Sequence, residues 1–171
     1  MKIAETERLV VRWIEESDAP FVLRLLNDPD WLRFIGNRNV HTLDDARKQI
    51  TERYRVGLAK GFGAYLVELK ATQTPLGMCS LIQRDYLDCP DLGFAFLPEY
   101  RSQGYAREAS LATMAYARNS LGFQRLVAFT NDDNEASGRL LEKLGFRFER
   151  KMKLPNEDEQ VKVYEWFRQA T

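Results

Sequence analysis

The residues whose types and spacing carry the clearest chemistry are Arg101-Ser102-Gln103-Gly104-Tyr105-Ala106-Arg107, which follow an apolar run and a proline and open a helix. A helix N-terminus leaves its first main-chain N–H groups without intrahelical partners and carries a partial positive charge. A phosphate or diphosphate placed there satisfies both. For several amides to close around one, the backbone must come near it, and a Cβ obstructs that approach. Gly104 removes the obstruction and Ala106 is the next smallest choice. Arg101 and Arg107 add cationic charge on either side. The run therefore reads as a cradle for a diphosphate. Neither a G-x-x-x-x-G-K-[ST] nor a G-x-G-x-x-G pattern occurs in the chain, which argues against an NTPase or a dinucleotide dehydrogenase.

A second constellation lies in TNDDNEASGRLLEKLGF, Thr130 to Phe146. Asn134 follows a strand and opens a helix, where it serves either as the N-cap or as a partner for a ligand amide. Ser137 faces the same way one turn later. Asp85 and Asp91, in DYLDCPD, are turn formers first and candidate general bases second. Trp31, Phe34, Ile35 and Arg38 fall around the first helices, as core or as the wall of a substrate cleft. His41 stands in a loop after them. The acidic turn Asn156-Glu157-Asp158-Glu159 is a solvated loop or an attractor for a cationic amine.

These residues need elements to place them. Leu9 to Trp13 reads as a strand, and Ser17-Asp18-Ala19-Pro20 as a helix start with Phe21, Val22, Leu25 and Leu26 on its apolar stripe. Asn27-Asp28-Pro29 breaks that helix, and a second short one carries Trp31, Phe34 and Ile35. Thr42-Leu43-Asp44-Asp45 is a capping box. Behind it Ala46, Ile50, Tyr54 and Leu58 predict one helix stopped by Gly61. Strands are expected over 62–69, 76–83 and 92–97, the first two as a hairpin. A helix to about Ser120, a strand over 124–129, a helix from Asn134 to Leu144 and two closing strands complete the chain. The order predicts a single α/β (α+β) domain over residues 1–171 with a mixed, mostly antiparallel central sheet flanked by helices.

Bulk properties narrow the function. Lys+Arg and Asp+Glu each total 25, so bulk electrostatics favours neither nucleic acid nor an anionic membrane as partner. No apolar run approaches the roughly 20 residues of a membrane span, and the first residues lack a secretory signal. Cys79 and Cys89 are the only cysteines and His41 the only histidine. That composition points away from a metal site and toward reduced thiols in a cytoplasmic protein.

With these residues in view, Arg101-Ser102-Gln103-Gly104-Tyr105-Ala106 resembles the acyl-CoA motif of the GNAT N-acetyltransferase superfamily. Asn134-Glu135-Ala136-Ser137 with Glu142-Lys143-Leu144-Gly145-Phe146 resembles its following segment. Thr6-Glu7-Arg8-Leu9, Asn27-Asp28-Pro29 and Pro90-Asp91-Leu92-Gly93-Phe94 are similar to the branch that includes the bacterial ribosomal-protein N-terminal acetyltransferases. The resemblance implies acetyl-CoA as cosubstrate and transfer to an amine, either a protein N-terminus or a small amine, with a non-catalytic CoA-binding module as the alternative. A homodimer is compatible with it. It also implies that the edge Phe94-Ala95-Phe96 pairs with the pantetheine arm and gives one amide to the acetyl carbonyl. The N–H groups from Arg101 to Ala106 would then hold the diphosphate, Asn134 would meet the pantetheine, and Ser137 would lie near the thioester sulfur. Two positions depart from the family pattern. Leu141 stands where many members carry a tyrosine acid, and Phe129 where some carry a carboxylate base.

Overall fold

The computed structural model describes residues 1–170. In chain order they form β1 (Lys2–Glu5), β2 (Leu9–Trp13), α1 (Ala19–Leu26), α2 (Pro29–Phe34), α3 (Leu43–Gln49), β3 (Ala64–Leu69), β4 (Pro75–Ile82) and β5 (Asp91–Phe96). Then follow α4 (Tyr105–Asn119), β6 (Arg125–Asn131), α5 (Glu135–Lys143), β7 (Arg147–Lys153) and β8 (Gln160–Phe167). The strands make one sheet in the order β1-β2-β3-β4-β5-β6-β8-β7. Its neighbours are antiparallel except β5 and β6.

Strand alternation divides the apolar side chains between two faces. Tyr65, Val67, Cys79, Leu81, Leu92 and Leu126 pack on one face with Ala109, Met114 and Ala117 of α4 and Leu141 of α5. Ala64, Leu66 and Met78 pack on the other with Val22, Leu25 and Leu26 of α1, Trp31 of α2 and Ala46 and Ile50 behind the α3 cap. Asp28 caps α2 by accepting from the N–H groups of Asp30 and Trp31 at 3.2 and 3.4 Å, with Pro29 in the first turn. Thr42 and Asp45 form the expected reciprocal capping box.

Two expectations are corrected. The chain opens with β1, an edge strand of mixed composition that pairs only with β2. Its side chains show no buried alternation, so the sequence carries no periodic signal there. The fourfold recurrence from Ala46 to Leu58 is also not one α-helix. After Gln49 the chain makes a π-helical turn, with Arg55 N–H bonding Ile50 O at 3.0 Å, and then a short 3-10 turn over Leu58–Lys60. The Arg55 guanidinium holds Ile14 O at 2.9 Å. Gly57 presses against Phe62 so closely that a Cβ there would lie 1.8 Å from the Phe62 carbonyl oxygen. Both contacts pull the segment off the α-helical path.

Candidate active site

The one parallel strand pair creates the site. β5 and β6 share a single paired position, Asp91 opposite Val127. Beyond it they separate into a wedge that opens toward their C-terminal ends, from which α4 and α5 start. A crevice at the carboxyl ends of parallel strands, where chain direction switches, is where open α/β sheets bind ligands. Leu97 N–H bonds Leu76 O at 3.0 Å, so alternation turns the main chain of Ala95 and Gly93 toward β4, opposite Met78 and Ser80. The N–H groups of Phe94 and Phe96 therefore face the wedge. Of the expected edge Phe94-Ala95-Phe96, the middle residue spends its main chain within the sheet. The Phe96 ring is buried in the core with the Phe94 ring packed against it.

At the mouth of the wedge, Ser102 and Gly104 adopt left-handed backbone, with φ of 60° and 83°. Gly104 is the N-cap of α4, and its carbonyl receives the first helical bond, from Glu108 N–H at 3.0 Å. Among the described residues the N–H groups of Ser102, Gln103 and Gly104 meet no protein acceptor. Tyr105, Ala106 and Arg107 fill the first helical turn, where N–H groups have no intrahelical partner. Donors thus run from Ser102 to Arg107. Arg101 stands outside the run, because its N–H bonds Pro98 O at 3.2 Å.

The two arginines behave differently. Arg107 is exposed and, among the described residues, has no ion-pair partner, so its charge remains available to an anion. Arg101 turns back into the fold: Nε donates to Phe96 O at 2.9 Å, Nη2 to Asp28 at 2.7 Å, and Nη1 to Asp30. Its expected contribution of charge to the cradle is corrected accordingly, since two carboxylates already neutralise it.

Arg8 takes a place in the cradle that sequence reasoning missed. It lies over the Tyr105 ring at 4.4 Å, donates from Nε to Glu108 at 2.7 Å, and donates from Nη1 to Gln103 O at 3.1 Å. Thr6 Oγ1 and Arg8 N–H bond the same Glu108 carboxylate. In a planar trans peptide, a Gln103 carbonyl aimed at Arg8 sends the Gly104 N–H the opposite way. The signal was present in Thr6-Glu7-Arg8-Leu9, whose partner Glu108 lies a hundred residues on.

Asn134 caps α5, its Oδ1 accepting from Ser137 N–H at 3.3 Å. The cap holds Ser137 at the helix opening, half-buried, and among the described residues its hydroxyl meets no protein partner. Asp91 sits at the apex of the wedge, buried, with Arg84 Nε on its carboxylate at 2.6 Å. Burial raises the Asp91 pKa and Arg84 opposes that shift. Taking a proton there would break a buried ion pair, so Asp91 is better described as structural. Asp85 is exposed in the preceding loop.

Trp31 belongs to the core beneath α2, while Phe34 is half-buried and Ile35 and Arg38 are exposed in the following loop. Arg33 lies over the Phe34 ring at 4.6 Å and pairs with Asp133 at 2.8 Å, joining α2 to the turn before α5. The His41 ring is exposed, and the His41 main-chain N–H donates to Asp45. The turn over 156–159 joins β7 to β8, beside the end of β6.

Residues 8–147 match the model of the acetyltransferase (GNAT) domain. The chain belongs to the GNAT acetyltransferase family. It is an acetyl-CoA-dependent N-acetyltransferase, and several of its relatives are named N-acetyltransferases. It is 29% identical over 150 residues to the uncharacterized N-acetyltransferase YoaA of Bacillus subtilis, covering 86% of this chain and 84% of the relative. It is 27% identical to the uncharacterized N-acetyltransferase YnaD of the same organism, covering 84% and 82%. A GNAT acetyltransferase structure from Bacillus anthracis superposes with a TM-score of 0.81 at 25% identity, over 96% and 97% of the two chains. RimL, a ribosomal L7/L12 α-N-protein acetyltransferase in complex with coenzyme A, has the same fold, with a TM-score of 0.84 at 20% identity over 98% of each chain. In this GNAT domain no helix among the described residues is long and apolar enough to cross a membrane, and no group of three or more His, Cys, Asp or Glu is placed to hold a metal.

Proposed function

We propose that this acetyltransferase takes a protein N-terminal α-amine as its acceptor and transfers the acetyl group by direct attack on the thioester. The observation that carries the cofactor half is the run of unpartnered N–H groups from Ser102 to Arg107 at the mouth of the wedge. Left-handed backbone at Ser102 and Gly104 turns these donors outward, and the α4 dipole and the Arg107 charge favour an anion there. The diphosphate of acetyl-CoA fits that chemistry, and its pantetheine arm fits the N–H groups that Phe94 and Phe96 direct into the wedge. One of these amides stabilises the charge that develops on the acetyl carbonyl oxygen, commonly the largest single catalytic contribution. The Asn134 carboxamide keeps its NH2 group for the arm. Ser137 donates a proton to the departing thiolate, whose conjugate acid has a pKa of about 8.5, and the proton shed by the attacking nitrogen restores its hydroxyl.

The acceptor follows from what the site lacks. Leu141 and Phe129 cannot move protons, and Asp91 is committed to Arg84. A site with little base chemistry suits an amine that needs little deprotonation. At pH 7.4 an α-amine of pKa about 7.8 is roughly a quarter to a third neutral, against about a thousandth of a lysine side chain. RimL, described as acting on the N-terminus of a ribosomal protein, supports the same reading through shared fold. Phe34, Ile35 and Arg38 line the acceptor side.

A thiol-release assay over a panel of peptides with free N-termini, their acetylated controls, polyamines and amino acids tests the proposal. Release with free-N-terminal peptides alone is the expected result. Release with a small amine and no peptide overturns the acceptor assignment. Acetyl-CoA binding without release for any amine makes the domain a CoA-binding module.

A further inference from the structure

We infer, taking the cradle as the acetyl-CoA site, that Arg101 couples the two substrate sites: an anion that fixes the cradle also fixes α2, and an acceptor held by α2 tightens the cradle in return. Three bonds converge on this one guanidinium. Nε holds Phe96 O at the end of β5, Nη2 holds Asp28, and Nη1 holds Asp30. Asp28 is buried and is at the same time the N-cap of α2. The helix that leads into the acceptor-side residues therefore begins on a carboxylate shared with Arg101, the residue just before the cradle's donors.

Both ends of this link are weakly self-supporting. α2 spans only Pro29–Phe34, far shorter than a helix that is stable by itself in water. The cradle next to Arg101 carries a left-handed non-glycine residue, Ser102, and several N–H groups with no protein acceptor. Such backbone holds one conformation best when its donors are met. Fixing Ser102 and Gly104 on an anion fixes the Arg101 backbone, and a planar fork held at three acceptors transmits that order to Asp28. Ligand affinity then depends on ordering already achieved at the other site, and the coupling is reciprocal. Arg101 is thus a positioning residue; it reaches neither the acetyl group nor the amine.

Amide hydrogen exchange with and without acetyl-CoA separates the possibilities without an identified acceptor. In the wild-type chain acetyl-CoA is expected to slow exchange over residues 102–108 and, by at least about fivefold, over residues 29–35. In Arg101→Gln the first protection is expected to persist and the second to vanish. Asp28→Asn repeats the test where Arg101→Gln fails to fold, because asparagine caps a helix as well as aspartate but lacks the charge. A purely structural Arg101 would speed exchange in α2 equally with and without acetyl-CoA, leaving the ligand-induced ratio unchanged, and that outcome overturns the inference. Protection of residues 102–108 with none in wild-type α2 also overturns it while leaving the cradle intact. No protection of either segment removes the cradle assignment and the coupling together.

Discussion

The two sides of the wedge are built on different principles. The side proposed for the cofactor is made of main chain: Phe94 and Phe96 turn N–H groups inward, and the donors from Ser102 to Arg107 line its mouth. Its side chains serve mostly to aim that backbone, as Arg8 and Glu108 do. The side proposed for the acceptor is made of side chains on a short helix and a loop, over α2 and residues 35–41, where Gly36 and Asn39 adopt left-handed backbone. A backbone-made site suits a cosubstrate of fixed shape, because amides stay in place whatever side chains surround them. A side-chain site can be re-cut for a new amine while the first stays unchanged. Substitutions on the first side should therefore report on acetyl-CoA, and those on the second on the acceptor.

The largest effect on acetyl-CoA binding is expected where the backbone itself is forced. Gly104→Ala must hold a Cβ at φ of 83°, with Arg8 Nη2 only 3.3 Å away. Left-handed backbone disfavours an L side chain by about 1–2 kcal/mol. The Kd for acetyl-CoA by calorimetry should rise about tenfold while circular dichroism stays native. An unchanged Kd would break the contrast between the two sides.

Ser137→Ala is expected to lower kcat by about 10- to 100-fold with the Kd for acetyl-CoA unchanged, since it removes a proton donor and not a binding contact. Equal turnover would take Ser137 out of the mechanism. Arg8→Ala should raise the Kd for acetyl-CoA about three- to tenfold through a loosened Gln103–Gly104 peptide, with the KM for the acceptor unmoved. Parallel loss of both would blur the division drawn here.

The smallest effects concern titration. Burial holds the folded pKa of Asp91 above the usual carboxylate value. Its contribution to stability is therefore complete below the unfolded pKa, about 3.9, and is lost as pH rises through the folded pKa. Asp91→Asn removes that dependence and is expected to leave the midpoint of the pH–rate profile of the acceptor amine unchanged; a displaced acidic limb would restore Asp91 as a base. Burial pushes the Cys79 thiol up to about 12. Neither Cys79 nor the buried Cys89 should react with a thiol reagent in the native protein at pH 8.

Much of the geometry at the mouth of the wedge was legible in the sequence because it depends on local backbone. A glycine opening a helix, an asparagine three residues before a serine, and a proline after a strand each announce a turn of fixed geometry. The capping box of α3 and the break at Asn27-Asp28-Pro29 were readable for the same reason. Arg101 and Arg8 were not. The sequence shows their charge but not their direction, and Asp28, Asp30 and Glu108 lie far away along the chain. The acceptor side was least legible, because Trp31, Phe34 and Ile35 share an apolar pattern that only burial separates into core and rim. The π-helical turn after Gln49 hid behind a perfect fourfold recurrence, which tertiary contacts at Ile14 and Phe62 override.

The most direct test is the structure of the chain crystallised with acetyl-CoA. The diphosphate is expected within hydrogen-bond distance of main-chain N–H groups between Ser102 and Arg107, with the pantetheine arm beside Phe94 and Phe96. A coenzyme bound elsewhere, or held at its diphosphate by side chains alone, would contradict the account.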